Sequence, residues 1–199
     1  STLKKQEGSY TDLYFNYSIN QDLRDKKFRT EDGYTTTFSQ EVPILSDNAE
    51  FANSFEVTKF KKLSTTSDMV GKISFFGKTI TGLSDDVRIS KRLNVPSFRL
   101  RGFERGKVGP VENNDYIGGN YVSTINATTS LPKILENVQN VDVVMFADAA
   151  NIWGVDYDSS LDKGGIRSSV GVGIDWLTPV GPLTFSFAKP ITKESTDIE

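Results

Sequence analysis

A strict alternation of apolar and polar residues runs through the last third of the chain and restricts it to β-structure. In two neighbouring segments every second residue is apolar, namely Val170, Val172, Ile174 and Trp176 in the first, and Leu183, Phe185 and Phe187 in the second. Successive side chains of a β-strand point to opposite faces, so this period of two predicts strands with one apolar and one polar face. The turn residues 178–182 between the two segments predict a hairpin.

The same period recurs upstream and predicts eight strands that are joined as successive hairpins. The six earlier strands are predicted near residues 9–20, 34–42, 51–58, 69–79, 121–128 and 141–148. Short turns alternate with longer loops, Pro43 is placed in a connection, and the third strand is expected to lose its parity after Lys59. Residues 133–139 are expected to form a short helical turn, and residues 189–199 a polar loop.

Two architectures fit this pattern. A strand crosses a bilayer in roughly 9 to 11 tilted residues, and most of the segments are near that length. Small or polar residues on one face, such as Gly171, Gly173 and Ser186, fit a membrane barrel whose lumen is wet or holds a folded-in loop. A soluble antiparallel sandwich shows the same alternation, so the pattern leaves both architectures open.

The composition removes several function classes. The chain has no Cys and no His, which excludes disulfides, thiolate and imidazole metal ligands, and a histidine general base. Its net charge of -3 is too small to predict a nucleic-acid partner. We therefore expect no enzyme activity and no cofactor. The acidic residues Asp156, Asp158 and Asp162 lack the spacing of a calcium-binding EF-hand loop and are interpreted as part of a solvated surface loop.

One long loop, from about residue 81 to residue 118, interrupts the strand pattern. Its central stretch, PSFRLRGFERGKVGP at residues 96–110, places two Phe and a Leu between cations. Loops of this length without secondary structure of their own are usually functional or disordered, and the interleaved aromatic residues argue against disorder. The loop is therefore predicted to pack against the rest of the protein.

Three segments, in this order, resemble the BamA-type outer-membrane insertase family. The segment Leu100–Phe103 is similar to the VRGF/Y motif in the sixth surface loop of that family, and Phe146–Ala150 to its FxDxG strand motif. The third segment, Trp176–Ile191, is similar to the hairpin motif SPxGPLxFSxAxP and contributes Pro179, Gly181 and Pro182. The chain departs from the family at Ala150, where Gly is usual, and at Thr128, where some members carry Glu.

The resemblance implies an antiparallel up-and-down transmembrane β-barrel in the bacterial outer membrane. Residues 1–199 are expected to supply about eight strands of the C-terminal part of a sixteen-stranded barrel, without the final strand. The implied function is the folding and insertion of outer-membrane β-barrels. The implied partners are unfolded barrel precursors, accessory assembly lipoproteins and outer-membrane lipid. A two-partner secretion pore of the same superfamily and a soluble β-sandwich binding module are the alternatives.

The resemblance also assigns roles to residues of the long loop. In the family this loop folds back into the barrel, so Arg101 is expected to pair with Asp148, whose parity places it on the polar inner face. Gly102 is expected to let the backbone pass close to the wall, and Phe103 to pack in the lumen. The pair would act as a latch that fixes the position of the loop. Trp153 and Trp176 are expected at the membrane interfaces.

Overall fold

The structure is a computed structural model that describes residues 2–132, 140–162 and 164–199. The helical turn predicted for residues 133–139 lies outside the described residues. After the short helix α1 (Thr2–Lys5) the chain forms β1 (Asp12–Asp22), β2 (Gly33–Ser46), β3 (Glu50–Lys62), β4 (Val70–Gly82), β5 (Val111–Glu112), β6 (Asp115–Tyr116), β7 (Tyr121–Ser130), β8 (Val141–Trp153), β9 (Arg167–Thr178) and β10 (Gly181–Thr192).

Eight of these strands form one antiparallel sheet in the order β1-β2-β3-β4-β7-β8-β9-β10, so each strand of the sheet pairs with the next sheet strand along the chain. This arrangement confirms the predicted succession of hairpins. The strands β5 and β6, with two residues each, form a separate small hairpin within the long loop. Among the described residues, β1 and β10 are the edges of the sheet, and no helix there is long and apolar enough to cross a membrane.

Three predicted boundaries were wrong. β2 continues through Pro43 to Ser46, because Ile44 of β2 forms a bulge between the Leu13–Leu45 and Tyr14–Pro43 pairs. β3 keeps its regular pairing with β4 as far as Lys62 and does not lose its parity after Lys59. β10 extends to Thr192, so only the residues after it lie outside the sheet.

The two faces of the sheet differ sharply in exposure. On the outer face, apolar side chains are exposed, with Phe185 at 54 % and Phe187 at 72 %. Trp176 and Leu183 on the same face are also exposed. A β-sandwich would bury these side chains against a second sheet, and the described residues contain only the small β5–β6 hairpin besides the main sheet. The soluble sandwich was therefore the wrong alternative.

The buried core lies between the inner face of the sheet and residues 83–120, which we call the inner loop. The sheet contributes Ala52, Ile80, Val122, Ala150 and Ile152, and the inner loop contributes Val87, Leu93, Val95, Leu100 and Val108. Contrary to expectation, this loop has secondary structure of its own, with 3-10 turns at Ile89–Lys91 and Ser97–Arg99 besides the β5–β6 hairpin. The loop is therefore a packed part of the fold.

Candidate functional site

The inner loop reaches the sheet most directly at Arg101 and Asp148. The Arg101 Nε and Nη2 atoms donate to the two carboxylate oxygens of Asp148 at 2.7 Å each, and the Arg101 backbone N–H donates to Oδ2 at 3.2 Å. The guanidinium carbon also lies 3.3 Å from the centroid of the Phe146 ring. Asp148 is only 2 % exposed. The contact is thus a buried, two-pronged ion pair, which is the geometry that favours Arg over Lys.

Asn126 completes the hydrogen bonding of this carboxylate. Its side-chain amide donates to Asp148 Oδ1 at 2.8 Å and to the backbone carbonyl of Arg99 at 2.7 Å. Asn126 lies directly across from Asp148 in the β7–β8 register. Sequence reasoning considered Thr128 at this wall and missed Asn126. Both residues have the inner-face parity of β7, and that parity was the available signal.

The next two residues of the motif bring the loop against β10. Gly102 has a φ of 89°, and a Cβ at this position would lie 3.0 Å from the Cβ of Ala188 and 3.4 Å from Pro190. Both the left-handed backbone and the close approach favour glycine. Phe103 is partly buried against the core cluster. The structure therefore brings Arg101, Gly102, Phe103 and Asp148 into one site between the loop, β8 and β10.

A second arginine of the motif region, Arg99, contacts the opposite part of the inner face. Its Nη2 lies 2.7 Å from Glu56 of β3, and its guanidinium carbon lies 4.3 Å from the centroid of the Phe76 ring on β4. Arg99 and Arg101 are two positions apart in the loop and diverge to strands on either side of it. The loop is consequently tied to both sides of the sheet's inner face.

Arg88 forms a third contact that sequence reasoning missed. Its guanidinium donates to both oxygens of Glu50 at 2.8 and 3.0 Å and to Asp12 at 2.7 Å. The Tyr14 hydroxyl donates to Glu50 at 2.5 Å, and the Tyr10 ring centroid lies 4.5 Å from the guanidinium carbon. Arg88 is 3 % exposed. The hydrogen bonds to Glu50 raise the pKa of Arg88 further above its usual range, although an arginine is already charged at every relevant pH.

A fourth arginine, Arg92, joins the inner loop to the loop after β8. Its guanidinium forms an ion pair with Asp156 and donates to the Gly154 carbonyl at 3.2 Å. The Asp156 carboxylate also accepts from the Val87 backbone N–H and from Asn120, both at 2.9 Å. Asp156 is exposed, as expected for a surface loop, and it also forms an ion pair that the sequence did not predict.

The other two acids of that stretch are also used locally. Asp158 accepts from the Ser160 backbone N–H at 2.9 Å and begins a 3-10 turn at Ser159–Leu161, while Asp162 accepts from the Gly154 backbone N–H at 2.9 Å. Within the described part of the chain, no group of three or more acidic side chains is placed to hold a metal ion.

The Asp156 contact has a testable dependence on pH. Partial burial raises the pKa of Asp156, but hydrogen bonds from Val87 and Asn120 and the charge of Arg92 outweigh burial and lower it overall. Since the pKa is lower in the folded protein, the contact stabilises above the unfolded value of about 3.9 and is lost as the pH falls through the folded value. We expect acidification from pH 6 to pH 3 to lower the melting temperature less in Asp156→Asn than in the parent. An equal decrease in both proteins would contradict this assignment.

The hairpin motif lies at the other end of the sheet. Gly181 has a φ of 129° and pairs with Thr178, and Pro182 pairs with Leu177, so Pro179 stands in the short turn between β9 and β10. This turn adjoins the end of β8 that begins at Val141, whereas the inner loop joins the end near Trp153. The structure therefore separates Pro179, Gly181 and Pro182 from the Arg101 site.

The two tryptophans lie on the outer face at opposite ends of the β8–β9 pair, Trp153 at the end of β8 and Trp176 on β9 beside the start of β8. Trp153 stacks on Tyr121 with ring centroids 5.6 Å apart, and Trp176 is the register partner of Val141. Tryptophan and tyrosine are enriched at both membrane–water interfaces. This placement is consistent with interface positions at opposite ends of two neighbouring membrane-spanning strands.

Comparison with known proteins gives the context of this geometry. Residues 1–199 match the family model described as the Omp85 superfamily domain. The outer membrane protein assembly factor BamA of Neorickettsia risticii (strain Illinois) is 25 % identical over 201 residues, which cover 98 % of this chain and 27 % of that protein. The BamA of Neisseria meningitidis serogroup B (strain ATCC BAA-335 / MC58) is 31 % identical over 126 residues, which cover 49 % of this chain and 16 % of that protein.

A solved structure shows the same fold. The crystal structure of BamA from Haemophilus ducreyi lacking POTRA domains 1-3 superposes with a TM-score of 0.82 at 23 % identity, over 93 % of this chain and 40 % of that chain. The chain thus spans well under half the length of these relatives. The family match covers the whole sequence, and the sheet has the exposed apolar outer face of a membrane barrel. The chain belongs to the Omp85 superfamily and forms part of a BamA-type β-barrel of the bacterial outer membrane.

Proposed function

We propose that residues 1–199 are the C-terminal part of the barrel of an outer-membrane insertase, without its final strand, and that the whole protein folds and inserts β-barrel precursors. The observation that carries this proposal is the Arg101–Asp148 ion pair, which fixes a loop with the family's motif against the inner face of a BamA-like sheet. The names of the two relatives, outer membrane protein assembly factors, support the same function.

The loop acts in this proposal as a latch. A buried ion pair adds little net stability, because desolvation of the charges offsets their attraction, but removal of one partner costs about 3 to 5 kcal/mol. The pair therefore selects one position of the loop. In that position Leu100 is buried in the core and Gly102 lies against β10. A loop held in this way stabilises the wall of the barrel while the other side opens.

Insertion by this route needs no covalent chemistry. A free strand edge exposes unpaired backbone N–H and C=O groups, which can pair with a strand of a precursor by β-augmentation. The sheet described here supplies the wall behind such an opening. The partners are unfolded β-barrel precursors, accessory assembly lipoproteins and the outer-membrane lipid that contacts the exposed apolar face. The proposal includes no enzymatic step and no nucleic-acid partner.

Depletion of the full-length protein tests this function. We expect many outer-membrane β-barrels to disappear from the membrane fraction, measured by quantitative proteomics, because all of them would depend on one insertase. Loss of a single secreted polypeptide, with other barrels at normal levels, would instead identify a two-partner secretion pore. Re-expression of the full-length protein is the control and is expected to restore the barrels.

A further inference from the structure

The residues after β10 contact the inner loop at a second place that is separate from the Arg101–Asp148 pair. The Glu104 backbone N–H donates to the Ile198 carbonyl at 2.9 Å, and the Ile198 N–H donates to the Lys107 carbonyl at 3.1 Å. The Tyr116 hydroxyl bonds to the Thr196 carbonyl. The segment Lys193–Glu199, which we call the C-terminal strap, therefore lies along the returning half of the loop.

Asp197 is the charged centre of this contact. One carboxylate accepts from the Arg167 guanidinium at 2.9 and 3.3 Å, from the Gly109 backbone N–H at 3.2 Å and from the Glu194 backbone N–H at 2.7 Å. The side chains of Asp197 and Arg167 are 0 % and 1 % exposed. A fully buried carboxylate is costly unless it is hydrogen-bonded. Because its donors come from three different segments, displacement of any one of these segments would leave the buried charge with fewer donors.

The neighbouring loop residues are packed too closely to shift alone. A Cβ on Gly109, which has a φ of 118°, would lie 2.9 Å from Ile152 of β8, and Val108 is buried in the core. Gly102 lies against Ala188 of β10. Thus β10 contacts the loop on one side of its tip and the strap contacts it on the other side. The loop cannot move without moving the strap, and the strap cannot move without moving the loop.

We propose that Asp197 is a positioning residue that fastens the returning half of the inner loop to the C-terminal strap, so that the loop sets the position of the chain that follows β10. The Arg101–Asp148 pair holds the loop to β8, and the Asp197–Arg167 pair holds it to the strap and to β9. This fastening is independent of the function proposed above. Only an effect of the fastening on barrel insertion would rest on that function.

Chemical cross-linking of the full-length protein tests the fastening directly. Cysteines are introduced by Lys107→Cys and Ile198→Cys in a cysteine-free background, and the purified, folded protein is treated with a short bis-maleimide. The Lys107 carbonyl and the Ile198 N–H are hydrogen-bonded, so the parent pair is expected to cross-link rapidly. We expect Asp197→Asn to lower the rate at least about fivefold, since a neutral amide cannot hold the charged fork of Arg167.

The matched control is Glu199→Gln, which removes a carboxylate from the same strap. Glu199 pairs with Lys193 at the surface, where both side chains are more than 40 % exposed, so its rate is expected to stay within about twofold of the parent. If Asp197→Asn fails to fold, Arg167→Lys keeps the charge but loses the fork and is expected to give an intermediate rate.

Two outcomes overturn the proposal. If the two introduced cysteines cross-link slowly without any further substitution, the strap does not dock on the loop. If Asp197→Asn and Arg167→Lys both cross-link at the rate of that parent protein, the Asp197–Arg167 ion pair does not hold the strap. The assay needs no precursor protein. Normal fastening in a protein that does not support barrel insertion would therefore reject the proposed function and leave this inference intact.

Discussion

Replacement of Arg101 by alanine is expected to release the tip of the inner loop and to reduce the assembly of outer-membrane barrels. The change leaves the buried Asp148 carboxylate with neutral donors, the Asn126 amide and the backbone N–H at position 101. Loss of one partner of a buried ion pair costs about 3 to 5 kcal/mol, which lowers the ratio of docked to undocked loop by a factor of roughly 100 or more. The effect is large because the unpaired Asp148 carboxylate reaches water only if the loop moves away from it.

Two measurements on the full-length protein check this result. Limited proteolysis reports release of the loop, and the level of folded barrels in the membrane reports the function. Arg105→Ala is the matched control, since Arg105 is an exposed arginine of the same loop. Arg101→Lys keeps the charge but loses the two-pronged geometry, and we expect an intermediate effect. Protease resistance and barrel levels equal to those of Arg105→Ala would refute the latch.

The sequence predicted the strands well because their signal is local. A period of two needs only a few consecutive residues, and the register of β8, β9 and β10 follows from it once each turn is located. The errors occurred where pairing with a neighbour overrides the local pattern. Pro43 stays within β2 because the strand bulges at Ile44 next to it and still pairs with β1, and β3 continues past Lys59 because β4 supplies partners as far as Lys62.

The contacts of the inner loop were only partly predictable. The Arg101–Asp148 pair was expected from the parity of Asp148 together with a motif resemblance, and the structure places the two side chains in contact. Arg88 and Arg92 carried no comparable signal, since their partners lie far away in sequence and meet them only after the loop has folded. Their partners Glu50 and Asp156 carried no motif either, and the strand pattern does not show which cation a given acid will bind.

The distribution of these ion pairs explains how a long loop is held against a sheet. The carboxylates bound by its arginines are spread over several elements. Arg88 binds acids of β1 and β3, and Arg99 binds another acid of β3. Arg92 binds the loop after β8, and Arg101 binds β8 itself. Each pair alone contributes little net free energy, but each alternative position of the loop would leave several buried charges without partners. The charges therefore select one docked arrangement, while the apolar cluster supplies the attraction.

Arg88→Ala, near the start of the inner loop, is expected to destabilise the barrel about as strongly as the loss of Arg101 at its tip. Glu50 is 2 % exposed and its two oxygens are both bonded to Arg88, so the substitution leaves a buried carboxylate with the Tyr14 hydroxyl as its remaining donor. The expected cost is again about 3 to 5 kcal/mol. The temperature at which the folded band is lost from unboiled gel samples of the detergent-solubilised full-length protein measures this change.

Lys91→Ala is the matched control, because Lys91 lies three residues further in the same turn, is one-third exposed and approaches Asp12 only to 4.0 Å. A surface pair of this kind contributes at most about 1 kcal/mol. The double variant Arg88→Met with Glu50→Gln removes the two buried charges, and we expect it to regain much of the stability lost in Arg88→Ala. The remaining carboxylate, Asp12, is partly exposed and keeps its hydrogen bond from Ser46. Only Arg88→Ala leaves the Glu50 carboxylate without a cation. Equal losses of stability in Lys91→Ala and Arg88→Ala would therefore show that packing, and not the buried charge, determines the effect.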